Sequence, residues 1–76
     1  MWIYIERESV GLNLDHVTRL FVEVTGSGAA LKAEMATGKT LMVGYYDDKP
    51  SALAALGRIM KEKEAGSALV RITPEA

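Results

Sequence analysis

Apolar and polar positions alternate along the first third of the chain in three short runs. Ile3 and Ile5 share one parity against Trp2, Tyr4 and Glu6, and Val10, Leu12 and Leu14 repeat the pattern. After Asp15–His16 it resumes, with Leu20, Val22 and Val24 on one parity and Val17, Arg19, Phe21 and Glu23 on the other. A period of two marks a half-buried strand, and β-branched and aromatic residues suit one. The pattern predicts strands over 1–7, 10–14 and 17–24, with a turn at Glu8–Ser9 and a bend or bulge at Asp15–His16.

Thr25-Gly26-Ser27-Gly28 reads as a hairpin turn. A two-residue Gly26–Ser27 turn, with Gly26 supplying positive φ, pairs Val24 with Ala29, Val22 with Leu31 and Leu20 with Ala33. The other face then sets Phe21 against Lys32, a cation over a ring, and Arg19 against Glu34, an ion pair. A one-residue slip would oppose Lys32 and Glu34 to Val22 and Leu20, so the register is well specified. For the next hairpin, a three-residue loop Ala36-Thr37-Gly38 pairs Leu31 with Val43 and Ala33 with Leu41. It places Gly38 at the third position, where a left-handed residue is needed.

Leu41 to Tyr46 is apolar on both parities, as expected of a strand covered on both faces. Asp48 is a candidate N-cap, with Pro50 in the first turn and Gly66 closing the helix near Ala65. Ala52, Leu53, Leu56, Ile59 and Met60 form its apolar stripe, with Arg58, Lys61 and Glu62 opposite. Gly57, at the stripe's edge, suggests a close approach to the sheet. Ser67–Thr73 reads as a short final strand stopped by Pro74. The predicted class is α+β: an antiparallel β-meander of four to five strands, one amphipathic helix packed on one face and a short C-terminal strand, in a single domain over 1–76.

Size sharpens this picture. A domain of 76 residues buries only about 60–65% of its unfolded surface, so its stability alone is marginal. Disulfides, metals or a second subunit commonly support such domains. The chain has no cysteine and one histidine, which removes disulfides and thiolate metal sites and leaves oligomerisation. Acids and bases are interspersed, with a net charge of −1, unlike the basic surplus of a phosphate-backbone binder. No apolar run approaches the ~20 residues of a membrane span. The first residues, MWIYIERE, carry no basic flank or small-residue cleavage site, so the expected location is cytoplasmic.

Candidate chemistry is sparse. AEMATGKT (33–40) is one substitution from a phosphate loop, but LMVGYY after it reads as strand where a helix N-terminus is required. Gly26-Ser27-Gly28 lacks both the third glycine and the helix of a dinucleotide fingerprint. Asp15–His16 and Asp47–Asp48 could offer metal ligands, but adjacent strand residues point to opposite faces and no ligand spacing recurs. No serine or threonine has an evident base besides His16. The expectation is a protein without catalysis, cofactor or metal.

The face of the sheet away from the helix carries more signal. The registers above place Arg19, Phe21, Lys32 and Met42 there. Trp2 and Tyr4 join them if Ile3 and Ile5 point inward, and Tyr46 follows the parity of Met42. Four aromatics and a methionine exceed what a monomer usually leaves in water. These seven residues are the candidate interface, with a homo-oligomer, dimer or higher, as the first occupant and an unidentified protein partner as another. Stacking of single-stranded bases on Trp2, Tyr4, Phe21 and Tyr46 is the competing reading. Glu6, Glu23 and Glu34 on the same side disfavour nucleic acid.

Leu12-Asn13-Leu14-Asp15-His16-Val17 and Gly38-Lys39 bring out a resemblance. In order of elements, over about two-thirds of the chain, the sequence resembles a diffuse group of short bacterial and phage proteins and the small flagellar-operon D proteins. Their pattern is a first strand, an L-N-x-D-like segment before an apolar strand, a glycine hairpin, another strand and one helix. The Asp47-Asp48-Lys49-Pro50 helix start and the extra C-terminal strand depart from it. The resemblance implies a fold rather than a function, and no functional residue carries over.

Overall fold

The computed structural model describes residues 1–73; Pro74, expected to stop the last strand, lies outside them. The described chain is α+β: β1 (Trp2–Ile5), β2 (Val10–Asn13), β3 (Val17–Val24), β4 (Ala29–Met35), β5 (Thr40–Tyr46), α1 (Lys49–Glu64) and β6 (Leu69–Ile72). The strands fall into two three-stranded sheets, ordered β2-β1-β6 and β3-β4-β5, where a single meander was expected. The division comes at a 3-10 turn, Leu14–His16, held by the Asn13 side chain accepting from Asp15 N–H at 3.0 Å. Leu14 N–H also bonds back to Met1 O at 2.9 Å, fixing the corner where the chain leaves the first sheet. In that sheet β2 is antiparallel to β1, whereas β6 runs parallel to it, pairing Ile3 with Val70 and Ile5 with Ile72.

The β3–β4 hairpin has the predicted register, from Val24 opposite Ala29 to Arg19 opposite Glu34, with a bulge between Val17 and Arg19. Its turn differs from expectation. Thr25 N–H bonds to Gly28 O at 2.8 Å across Gly26–Ser27, but Gly26 does not take the positive φ. The glycine this turn demands is Gly28, where a Cβ would stand 2.4 Å from Tyr46 O. The three-residue loop before β5 is as expected: Gly38 has φ 93°, and Met35 N–H bonds to Lys39 O at 2.7 Å.

β5 departs from the expected regular ladder. Ala33 faces Leu41, but Leu31 faces Gly44 because a bulge inserts Val43 between the pairs at Met42 and Gly44. One extra residue inverts the parity of everything after it. Tyr46 is thereby turned onto the core face, 7% exposed, beside Gly44, where a Cβ would meet its ring at 2.9 Å. β5 is also an edge strand, with Leu41 and Met42 exposed, so its double-parity apolar run does not reflect cover on both faces.

A single apolar cluster joins the inner faces of both sheets to the helix. Ile3, Ile5, Val70 and Ile72 come from the first sheet, Leu31, Val43 and Tyr46 from the second, and Ala52 and Ile59 from α1. The helix lies on β3, β4 and β5. Asp48 caps it, accepting from Ser51 N–H at 2.9 Å, and Gly66 (φ 81°) closes it. Only part of the expected stripe is buried: Ala52 and Ile59 fully, Leu56 partly, while Leu53 and Met60 stay exposed. Gly57 has no neighbour within 4 Å of a built Cβ, so it makes no close approach to the sheet.

Candidate interaction surface

The seven expected interface residues do not form one surface. Arg19, Phe21, Lys32 and Met42 share the outer face of the β3-β4-β5 sheet, Lys32 lying between Phe21 and Met42. Trp2 and Tyr4 are on the outer face of the other sheet, because Ile3 and Ile5 point inward as expected but β1 belongs to that sheet. Tyr46 is in the core and leaves the set. Four candidates are brought together, two stand apart and one is buried. The four-aromatic stacking platform is therefore not assembled.

The charges on the four-residue face are already matched. Arg19 Nε donates to Glu34 Oε1 at 2.9 Å, and its guanidinium lies 4.3 Å from the Phe21 ring centroid. Lys32, expected over Phe21, instead donates through Nζ to Glu23 Oε1 at 2.7 Å. Exposed pairs of this kind contribute about 0–1 kcal/mol each. On the other sheet the Arg71 guanidinium lies 5.5 Å from the Tyr4 centroid, beside an exposed Trp2.

Sequence reasoning missed two features. The first is a hydroxyl cluster at the far end of the hairpin, where Tyr45 Oη lies 2.6 Å from Ser27 Oγ and 2.9 Å from Thr25 Oγ1. Those hydroxyls, Ser27 foremost, hold the phenol below the usual tyrosine range. The bulge at Val43 is what brings Tyr45, rather than Tyr46, to this face. The second is an apolar cleft of about 380 Å³ between the start of β3 and α1, lined by Leu14, Val17, Thr18, Arg19, Leu20, Leu56, Met60 and Lys63. The unburied end of the helix stripe, Met60, was its one sequence signal.

Reactive chemistry does not converge at either feature. His16 is exposed at the corner turn, and among the described residues no three His, Cys, Asp or Glu side chains gather as a metal site. No helix among the described residues is long and apolar enough to cross a membrane. Comparison with protein-family models, curated proteins and solved structures finds no match to this chain.

Proposed function

We propose that this protein is a small non-catalytic interaction module of the cytoplasm that works as a homo-oligomer. The observation that carries the reading is the amount of large apolar surface left in water by so small a domain. Val24 is 61% exposed, Trp2 and Met60 50%, and Met42 46%, while four of the buried core positions, Ala29, Ala30, Ala33 and Ala52, hold only a methyl group. Apolar area in water is worth about 25 cal/mol per Å² when covered, and a second subunit is the simplest cover for a chain without disulfides. Sedimentation velocity across the micromolar range tests it. A concentration-dependent shift to a dimer or larger species is expected, and a monomer throughout would overturn the reading.

A further inference from the structure

We propose that β3 is the contact strand of a symmetric homodimer, in which two copies pair antiparallel along their free β3 edges with Phe21 against the second copy's Phe21. The proposal rests on the self-association reading above and gives it a strand, a register and a symmetry.

Among the described residues β3 is bonded to β4 alone. Because Thr25 N–H bonds to Gly28 O, the alternation of an antiparallel ladder directs the N–H and C=O groups of Leu20, Val22 and Val24 away from β4. Exposed edges are usually blunted by charged side chains, lysine above all, by proline, by bulges or by shortness. β3 has eight residues and neither lysine nor proline, its bulge is confined to the first three positions, and its two charges, Arg19 and Glu23, are each paired to β4.

The sequence of the strand is self-complementary about Phe21. Antiparallel pairing centred there sets Arg19 against the second copy's Glu23, Leu20 against its Val22, and Thr18 against its Val24, each contact occurring twice. Sliding the pair by two residues faces Arg19 or Glu23 with Phe21. Sliding it by four opposes Arg19 to Arg19 or Glu23 to Glu23, and odd shifts set core faces against outer faces. In the centred register Leu20 and Val22 make the hydrogen-bonded pairs. Phe21 and Arg19 fall in the closer non-bonded pairs, where side-chain contact is best.

Both faces of the resulting six-stranded sheet gain. On the outer face Arg19 lies between its own Glu34 and the second copy's Glu23, whose other contact is Lys32, so the charges alternate in sign. On the inner face the most exposed apolar side chain of the strand, Val24, is brought to the cleft at Thr18, against Leu14, Leu56 and Met60. A protrusion at one end of a strand and a hollow at the other are what a two-fold axis through its middle joins.

Charge reversal tests the register. Arg19→Glu and Glu23→Arg are each expected to weaken dimerisation at least about tenfold, because each homodimer opposes like charges twice. An equimolar mixture should recover a one-to-one heterodimer, since both of its charge pairs are then complementary. Circular dichroism and a cooperative melt check that each variant folds. Independently, Phe21→Cys in this cysteine-free chain should oxidise to a covalent dimer, whereas Met42→Cys on the opposite edge should not. A dimeric wild type whose folded charge variants stay dimeric, or whose mixture stays monomeric, overturns the β3 assignment alone. So does cross-linking through Met42→Cys and not Phe21→Cys. A monomeric wild type overturns the self-association reading as well.

Discussion

Gly28 occupies a position that tolerates no side chain, since a Cβ there would meet Tyr46 O at 2.4 Å and the Tyr45 hydroxyl at 2.9 Å. Gly57, on the exposed side of α1, meets nothing. Alanine at the two sites should act in opposite directions. Gly28→Ala is expected to cost about 1–3 kcal/mol through forced movement of β5, and Gly57→Ala to add up to about 1 kcal/mol from helix propensity, both read by urea denaturation. Asp48 supplies a pH signature at the same scale. The Ser51 hydroxyl and N–H hold its carboxylate below the usual aspartate range. A depressed folded pKa means that the cap's pH-dependent contribution is complete above the ordinary aspartate value. It is lost as pH falls from about 4 toward the lowered one. Asp48→Asn keeps an oxygen for Ser51 N–H. Melting temperature near neutrality should barely move, while the fall in stability below about pH 4 becomes shallower than in the wild type.

The elements divide by how local their determinants are. β3 and β4 were legible to the residue because each cross-strand pair, from Val24–Ala29 to Arg19–Glu34, satisfies side-chain chemistry that any slip would break. β5 was not, because Leu41, Met42, Val43, Tyr45 and Tyr46 are apolar on both parities and leave a bulge no chemical trace. With Val43 inserted, Gly44 sits opposite Leu31 and the Tyr46 ring occupies the space over it, at the place opposite Ala29 that a regular ladder would give to Tyr45. Tyr46 therefore left the candidate surface, and Tyr45 took an outer position that sequence parity denied it. Mutational cost separates Tyr46 from Met42, which share a sequence parity but lie on opposite faces. Tyr46→Ala should destabilise by about 3–5 kcal/mol, as for a large buried ring, and Met42→Ser by no more than about 0.5 kcal/mol. A regular strand would put Tyr46 on the outer face with Met42 and make both changes mild.

At the scale of the whole molecule, the first strand is completed by the last. Ile3 and Ile5 lie against Val70 and Ile72 in a parallel pair separated by nearly the length of the chain, and all four are buried in the common core. Alternation could show that 67–73 forms a strand, but no local pattern states which edge a strand will join. Its pairing was therefore invisible while its existence was not. The same separation orders the folding events. The β3–β4 hairpin closes a four-residue turn and is expected to form early, and β1–β6 pairing to follow once α1 has returned the chain across the second sheet. Two truncations of fully buried side chains at different sequence separations expose the order. Leu31→Ala and Ile72→Ala should each cost about 2–5 kcal/mol at equilibrium, yet divide that cost differently between rates. Leu31→Ala is expected to slow folding, with φ of about 0.5–0.8, and Ile72→Ala chiefly to speed unfolding, with φ of about 0–0.3. Stopped-flow chevrons measured at low protein concentration, where association does not contribute, give both values. A high φ at Ile72 would mean that the two ends meet first and that the first sheet templates the second.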